Sequence, residues 1–162
     1  YMGLSSSQIA RAALDFQPLP HRMQLILRSR NGVDFVDDSK ATSLSATAAA
    51  LAMTPGSVRL IAGGILKEKK IDFLKEMLAK KVKKVYLIGN CAVEMEQAWS
   101  GCVPCEICYT IDRAVRAANA QAGKGDTVLL SPGTASFDQF TGYRERGDRF
   151  AACVREVADC VL

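Results

Sequence analysis

The chain has 162 residues, of which 49% are hydrophobic and 23% are charged, and its formal net charge is +4. These values are ordinary for a globular protein, exclude a disordered chain, and predict one domain with a substantial core and at most a fragment of a second. Because no apolar run approaches the ~20 residues that cross a bilayer and no signal sequence opens the chain, we expect a cytoplasmic protein.

The first elements predict a domain boundary near residue 18. Serines 5–7, followed by Gln8 and by spaced apolar residues up to Phe16, predict a capped amphipathic helix. Pro18 and Pro20 then form a stiff extended connector. We interpret residues 1–18 as the tail of a preceding domain plus the connector, and residues 19–162 as a domain of their own. The chain is thus expected to be a piece of a longer protein.

The remaining elements predict an α/β fold. Apolar runs at 23–28 and 33–36 predict two strands, and Asn31-Gly32 between them predicts a tight hairpin. Helices are predicted at 44–53, 71–80, 92–99, 111–122 and 144–161, and further strands at 58–62, 84–88, 106–109 and 127–130. This alternation requires crossover connections and a parallel sheet. The sequence therefore predicts a Rossmann-like three-layer sandwich, mostly parallel, with an antiparallel hairpin strand at one edge.

Three predicted strands end in loops that carry lysine or hydroxyl side chains. The loops are Asp37-Asp38-Ser39-Lys40-Ala41-Thr42, then Gly63-Gly64-Ile65-Leu66-Lys67, then Ser131-Pro132-Gly133-Thr134-Ala135-Ser136-Phe137-Asp138. The carboxyl ends of parallel strands meet at one edge of a sheet, where ligands bind. Ammonium groups, hydroxyls and helix amides suit a small dicarboxylate or a phosphate. We therefore expect these loops to converge on an anionic ligand.

Each of these loops also has a purely structural interpretation. Ser39 or Thr42 could cap the following helix, and Asp38 could complement the helix dipole. Lys67 could be one more surface lysine, and Ser136 could cap a short helix at 138–140. The predicted convergence of the three loops is what favours a binding site.

Eight lysines between positions 67 and 84 form the densest basic cluster, and Phe73 is the only aromatic residue placed among them. Nucleic-acid grooves combine basic residues with several stacking aromatic side chains, so this pattern favours a solvated helix face. We expect neither a nucleic acid nor a membrane as a partner.

Three cysteines, Cys102, Cys105 and Cys108, have the spacing of part of an iron–sulfur ligand run. A fourth ligand would have to come from Cys91, Cys153 or Cys160. In a short strand at 106–109, the side chains of Cys105 and Cys108 would point to opposite faces of the sheet. Small buried thiols are therefore favoured over a cluster, and no metal ligand is assigned.

Two classes of chemistry are disfavoured. His21, the only histidine, lies at the proline connector rather than at a strand end, which argues against a Ser-His-Asp or Cys-His hydrolase. Gly123-Lys124-Gly125-Asp126 lacks the spacing and the hydroxyl of a phosphate loop, and no G-x-G-x-x-G occurs. This chain alone is not expected to hold a triphosphate or a dinucleotide.

Four ordered motifs resemble the C-terminal domain of the Mur ligases. They are Leu19-Pro20-His21-Arg22, the run from Asp37 to Thr42, Gly63-Gly64 with Lys67, and the run from Ser131 to Phe140 with Arg146-Gly147-Asp148. The resemblance covers 19–162 and is strongest to the branch that adds D-glutamate to UDP-N-acetylmuramoyl-L-alanine. It implies an ATP- and Mg²⁺-dependent amide ligase of cytoplasmic peptidoglycan synthesis, and hence of cell-wall formation, cell shape and cell division. The phosphate loop and the magnesium ligands would lie in the central domain, so this fragment is expected to be inactive alone.

The resemblance also implies roles for individual residues. The two carboxylates of D-glutamate would be held by Thr42, Lys67, Ser136 and the backbone at Tyr143, with Lys40 beside them as the catalytic cation. Arg22 would reach the ATP phosphates and Asp38 the ribose. Ile65 and Leu66 stand where the family usually has an acidic residue, for which Glu68 is a candidate substitute.

Other functions remain open. The fold would also serve another Mur ligase, such as the alanine-adding ligase, a folylpolyglutamate synthetase, or a non-enzymatic Rossmann-like binding module. The run from Ser131 to Phe140 favours the D-glutamate branch. The expected partners are D-glutamate, UDP-N-acetylmuramoyl-L-alanine, and the protein's own central and N-terminal domains.

Overall fold

A computed structural model of the chain describes residues 3, 5–8, 11, 19–68 and 70–158. The strands are β1 (Gln24–Arg28), β2 (Asp34–Asp37), β3 (Ser57–Gly63), β4 (Val82–Ile88), β5 (Cys105–Tyr109) and β6 (Asp126–Leu130). The helices are α1 (Leu44–Met53), α2 (Lys75–Lys81), α3 (Ala92–Trp99), α4 (Ile111–Gln121) and α5 (Tyr143–Val157), and a 3-10 turn at Asp72–Leu74 precedes α2. These strands form one sheet in the order β1-β2-β6-β3-β4-β5.

The predicted hairpin is confirmed. β1 pairs antiparallel with β2, whereas the neighbouring pairs from β2 to β5 are all parallel. The Ser29 carbonyl accepts a hydrogen bond from the Gly32 N–H at 2.9 Å, which closes the turn. Gly32 has a φ of 74°, a conformation that glycine adopts without steric cost.

The core occupies both faces of the sheet, because successive strand residues point to opposite sides. Leu60 of β3 packs in one cluster with Leu44 and Trp99, from α1 and α3. The next residue, Ile61, packs in a second cluster with Phe150 of α5, together with residues of α4. The predicted three-layer α/β sandwich is therefore confirmed.

A few element boundaries differ from the prediction. β4 begins at Val82, and the predicted helix at 71–80 divides into the 3-10 turn and α2. At the N-terminus, residues 6–8 are helical and the Ser5 hydroxyl accepts a hydrogen bond from the Gln8 N–H at 3.3 Å, which confirms the predicted cap. Arg11 is also helical, whereas the other residues of that predicted helix, Pro18 and the end of the helix predicted to reach 161 lie outside the described residues. No helix in the described part is long and apolar enough to cross a membrane.

Two cysteines of the predicted triplet, Cys105 and Cys108, pack on opposite faces of the sheet. Cys105 packs against the first core cluster and Cys108 lies in the second, so they face opposite sides of the sheet as predicted. Burial raises the pKa of both thiols to about 11. Within the described ranges, no group of three or more His, Cys, Asp or Glu side chains is placed to hold a metal ion.

Candidate functional site

Three strand-end loops lie side by side, because β2, β6 and β3 are neighbours in the sheet. We call them the first loop (38–42), the third loop (131–138) and the glycine loop (64–68). The Gly133 N–H of the third loop donates to the Ala41 carbonyl of the first at 2.9 Å. Ile65 of the glycine loop exchanges two backbone hydrogen bonds with Ala135. The third loop thus joins the other two.

Gly64 allows the glycine loop to approach the third loop this closely. Its φ is 142°, and a β-carbon at this position would clash with the Ala135 carbonyl and the Thr134 hydroxyl. The position is therefore restricted to glycine by conformation and by space together.

Arg146 of α5 locks the first and third loops together. Its side chain is 1% exposed. The guanidinium donates to the Ser39 hydroxyl at 2.9 Å, to the Ser39 carbonyl at 2.8 Å and to the Thr134 carbonyl at 3.2 Å. The Ser39 hydroxyl in turn donates to the Tyr143 carbonyl at 2.8 Å. Burial lowers the pKa of Arg146 to about 10, so the guanidinium remains protonated at neutral pH.

One cleft of about 590 Å³ opens between the loops and the start of α5. Four residues predicted to bind substrate line it: Thr42, Lys67, Ser136 and Tyr143. We call it the Ser136 cleft. Its lining also includes Arg144 and Glu145, and the Glu145 carboxylate accepts hydrogen bonds from the Thr141 N–H and hydroxyl at 2.6 and 2.7 Å.

A second cleft of about 520 Å³ lies on the α1 side of the first loop. It is lined by Arg22, Asp38 and Lys40, and by an apolar wall of Met23, Ala41, Ala46, Ala49, Ala50 and Met53. We call it the Arg22 cleft. The cleft thus combines two basic residues and a carboxyl residue with apolar residues of α1.

Lys40 lies between the two clefts. Its side chain lines the Arg22 cleft, and its Nζ lies 3.4 Å from the hydroxyl of Tyr143, which lines the Ser136 cleft. The structure therefore brings Thr42, Lys67 and Ser136 into one cleft and places Lys40 on the adjoining wall.

The alternative in which Ser39 or Thr42 caps the following helix is wrong. The N-cap of α1 is Ser43, whose hydroxyl accepts from the Ala46 N–H at 3.3 Å, so neither Ser39 nor Thr42 serves as the cap. Thr42 is exposed in the Ser136 cleft. Glu68 also supports α1, because its carboxylate accepts from the Leu44 N–H at 3.0 Å, and it lines neither cleft.

Ser136 and Asp38 are both buried. The Ser136 carbonyl accepts from the Gln139 and Phe140 N–H groups, so 137–139 form a turn rather than the alternative short helix. Asp38 accepts from the Ser131 hydroxyl at 2.8 Å and from the Met23 N–H at 3.3 Å. Burial raises the pKa of Asp38 above its ordinary value, although these hydrogen bonds oppose the shift.

The expectation that His21 lies away from the strand ends is wrong. The connector folds back so that His21 Nδ1 lies 2.7 Å from Oδ2 of Asp37, the last residue of β2. A second carboxylate, Asp148, lies 3.8 Å from Nε2. Both ring nitrogens of His21 thus lie near carboxylates. Neither of these two contacts pairs the imidazole with a Ser or Cys side chain, as a hydrolase of the Ser-His-Asp or Cys-His type would require.

The role of Arg146 was missed in the sequence, although a signal exists. Arg146, Phe150 and Val154 recur at four-residue intervals, which places all three on one helix face. That face is buried in the structure. A basic residue on an apolar helix stripe indicates a buried arginine with specific partners.

The fold and the two clefts define an α/β domain that gathers cationic and hydroxyl side chains at the loop edge of its sheet. The family described as Mur ligase, glutamate ligase domain matches residues 21–134. UDP-N-acetylmuramoylalanine–D-glutamate ligase from Solibacter usitatus is 44% identical over 94% of this chain and 34% of its own length. The protein of that name from Roseobacter denitrificans is 45% identical over 97% of this chain and 32% of its own length.

The chain belongs to the Mur ligase family and spans about a third of the length of these curated relatives. Solved structures agree on the fold. UDP-N-acetylmuramate-alanine ligase MurC from Thermotoga maritima superposes with a TM-score of 0.66 at 9% identity, over 96% of this chain and 34% of that one. A bifunctional folylpolyglutamate synthase/dihydrofolate synthase from Yersinia pestis gives 0.62 at 20% identity, over 93% and 35%.

Proposed function

We infer that this chain is the amino-acid-binding domain of an ATP-dependent ligase that adds D-glutamate to UDP-N-acetylmuramoyl-L-alanine in cytoplasmic peptidoglycan synthesis. The observation that carries the proposal is the Ser136 cleft, where Thr42, Lys67 and Ser136 arrive from three different loops. The curated relatives are named for this reaction and match nearly the whole chain. Residues 19–162 would form the domain, and residues 1–18 the end of the preceding ATPase domain.

The Ser136 cleft suits a small dicarboxylate. Lys67 supplies an exposed ammonium, and Thr42 and Ser136 supply hydroxyl donors. Glu145 also lines the cleft, where its Oε2 accepts hydrogen bonds from the Thr141 N–H and hydroxyl. The Tyr143 backbone is fixed by the Ser39 hydroxyl, which would let it serve as part of the clamp. Such a clamp orients the amine of the bound amino acid for attack on the acceptor.

The Arg22 cleft suits a nucleotide. Arg22 and Lys40 offer positive charge for phosphates, and Asp38 offers carboxylate oxygens for a ribose hydroxyl. The alanines and Met53 of α1 offer an apolar surface for a base. ATP, when bound, supplies the phosphoryl group that activates the acceptor carboxylate. Lys40, on the wall between the clefts, would offset negative charge that builds up during the transfer.

Magnesium would be held mainly by the central domain. The described residues of this chain offer no group of three or more metal-ligating side chains. The isolated chain is therefore expected to be inactive, while the full-length ligase is active. Its further partners would be its own central and N-terminal domains.

Amino-acid-dependent phosphate release by the full-length ligase tests the proposal. With UDP-N-acetylmuramoyl-L-alanine, ATP and Mg²⁺ present, D-glutamate should stimulate release, whereas L-alanine and L-glutamate should not. Stimulation by L-alanine with UDP-N-acetylmuramate as the acceptor would favour an alanine-adding ligase, and stimulation by L-glutamate on a folate acceptor would favour a folylpolyglutamate synthetase. No stimulation by any of the three would favour a non-enzymatic binding module. Each of these last three outcomes would overturn the proposal.

A further inference from the structure

Tyr143 and Lys40 form a contact that joins the two clefts. The Lys40 ammonium lies 4.7 Å from the centroid of the Tyr143 ring and 3.4 Å from its hydroxyl. The first geometry is a cation–π contact, and the second is a long hydrogen bond that the ammonium donates to the phenol. One aromatic side chain therefore engages the lysine through both its face and its hydroxyl.

We propose that the Tyr143 side chain is a positioning residue that holds the Lys40 ammonium at the boundary between the Ser136 cleft and the Arg22 cleft. This inference rests on the proposed function, in which only the backbone of Tyr143 contacts the substrate. It adds a role for the Tyr143 side chain. A lysine has a flexible four-carbon stem and many rotamers, so an ammonium that must meet reacting atoms benefits from a second anchor.

The backbone of each partner is fixed independently of the contact. The Tyr143 carbonyl accepts from the Ser39 hydroxyl at 2.8 Å, and Ser39 is itself held by Arg146. The Lys40 N–H donates to the His21 carbonyl at 3.0 Å. Because both backbones are anchored, the tyrosine ring has a defined place over the lysine.

Two further side chains lie close to the Tyr143 ring. The guanidinium of Arg144 lies 5.8 Å from the centroid of the Tyr143 ring. The His21 ring packs edge-to-face against the Tyr143 ring, with the two centroids 6.2 Å apart. The hydrogen bond from Lys40 and the neighbouring Arg144 lower the pKa of Tyr143 below its ordinary value.

Kinetics of the full-length ligase test the proposal through two variants. Tyr143→Phe keeps the ring and loses the hydroxyl, so it should lower kcat about 3- to 10-fold. Tyr143→Leu loses both contacts and should lower kcat about 10- to 100-fold. The KM for D-glutamate should stay within about 2-fold in both, because the backbone is retained. Tyr109→Phe, a matched change at an exposed tyrosine outside both clefts, should leave both parameters unchanged.

NMR on the 162-residue chain tests the contact without turnover. The ring current should shift the Lys40 Hε signals upfield of those of the other lysines in the wild type and in Tyr143→Phe, but not in Tyr143→Leu. Loss of the upfield shift only in Tyr143→Leu supports the contact, whether or not the full-length wild type turns over. Absence of D-glutamate-dependent turnover in the wild type would reject the proposed function and not the contact. An active wild type with unchanged kcat in both variants, or an unshifted Lys40 signal in the wild type, would overturn this proposal.

Discussion

His21 Nδ1 donates to the Asp37 carboxylate at 2.7 Å, and this contact fastens the connector to the end of β2. Asp37 is fully buried, and its carboxyl group also accepts a hydrogen bond from the Ser39 N–H at 2.8 Å. A second tie runs through the backbone, where the His21 carbonyl accepts from the Lys40 N–H. His21 and the turn that carries Lys40 therefore form one structural unit.

Gly147→Ala tests how closely this unit packs on α5. Alanine normally stabilises a helix, but a β-carbon at Gly147 would clash with the His21 ring and the Asp37 carboxylate. We expect a loss of about 1–3 kcal/mol in the free energy of unfolding, measured by urea denaturation. Gly101→Ala is the control, because a β-carbon there meets nothing within 4 Å, and its change should stay within about 0.5 kcal/mol. Equal stability of the two variants would contradict the packing.

Arg146→Lys tests the lock between the first and third loops. Lysine keeps the positive charge but cannot reproduce the planar fork that reaches Ser39 and Thr134 together. The free energy of unfolding should fall by about 2–4 kcal/mol. Arg116→Lys, a matched change in an exposed ion pair with Glu156, should cost at most about 0.5 kcal/mol. If Arg146→Lys costs no more than this control, the guanidinium is not the lock.

Asp126→Asn should weaken the fold in a pH-dependent manner. Asp126 is 2% exposed and accepts from Lys83 at 2.6 Å and from Arg59 at 3.0 Å. Burial alone would raise its pKa, but the hydrogen bonds from Lys83, the Gly123 N–H and Arg59 outweigh burial and lower it below the ordinary 3.8. A carboxyl whose pKa is lower in the folded state stabilises the fold above the unfolded-state pKa, and this stabilisation is lost as the pH falls through the folded-state pKa.

The expected cost of Asp126→Asn is therefore about 1–3 kcal/mol at pH 7 and shrinks below about pH 4, as urea titrations across pH would show. Asp72→Asn is the control, since Asp72 is 73% exposed and pairs with Lys75 only at the surface. Its cost should be near zero at every pH. A pH-independent cost for Asp126→Asn would refute the assigned ion pairs.

Lys40→Ala tests the role of the cation between the clefts. In the full-length ligase, turnover should fall about 10²- to 10⁴-fold, because a charge directed at the reacting atoms is removed. The fold should stay intact by circular dichroism. Lys80→Ala, at an exposed lysine of α2 outside both clefts, should leave turnover unchanged. Near-normal activity of Lys40→Ala would count against the proposed role.

The strand and helix pattern was predictable because apolar periodicity and the Asn31-Gly32 turn are local signals. The adjacency of the three loops followed from the rule that ligands gather at the carboxyl ends of parallel strands. The partner of His21 was not predictable, because the return of the connector onto β2 depends on a contact with Asp37, sixteen positions away. Local patterns do not encode which distant carboxylate a histidine will meet.

The sequence also did not show which hydroxyl side chain caps α1. Ser39, Thr42 and Ser43 all precede α1, and propensity alone does not choose among them. The structure assigns the cap to Ser43, the residue directly before Leu44, whereas the Ser39 hydroxyl is engaged by Arg146 and by the Tyr143 carbonyl. The partners of Ser39 are set by tertiary contacts, which local propensity does not show.

The most direct test of the binding claim is a titration of the isotope-labelled 162-residue chain with D-glutamate, followed by NMR. The amide and side-chain signals of Thr42, Lys67 and Ser136 should move together, L-glutamate should move them less, and Lys67→Ala should weaken the response while Lys80→Ala leaves it intact. Shifts that avoid these three residues, or an equal response to both enantiomers, would contradict a D-glutamate site in the Ser136 cleft.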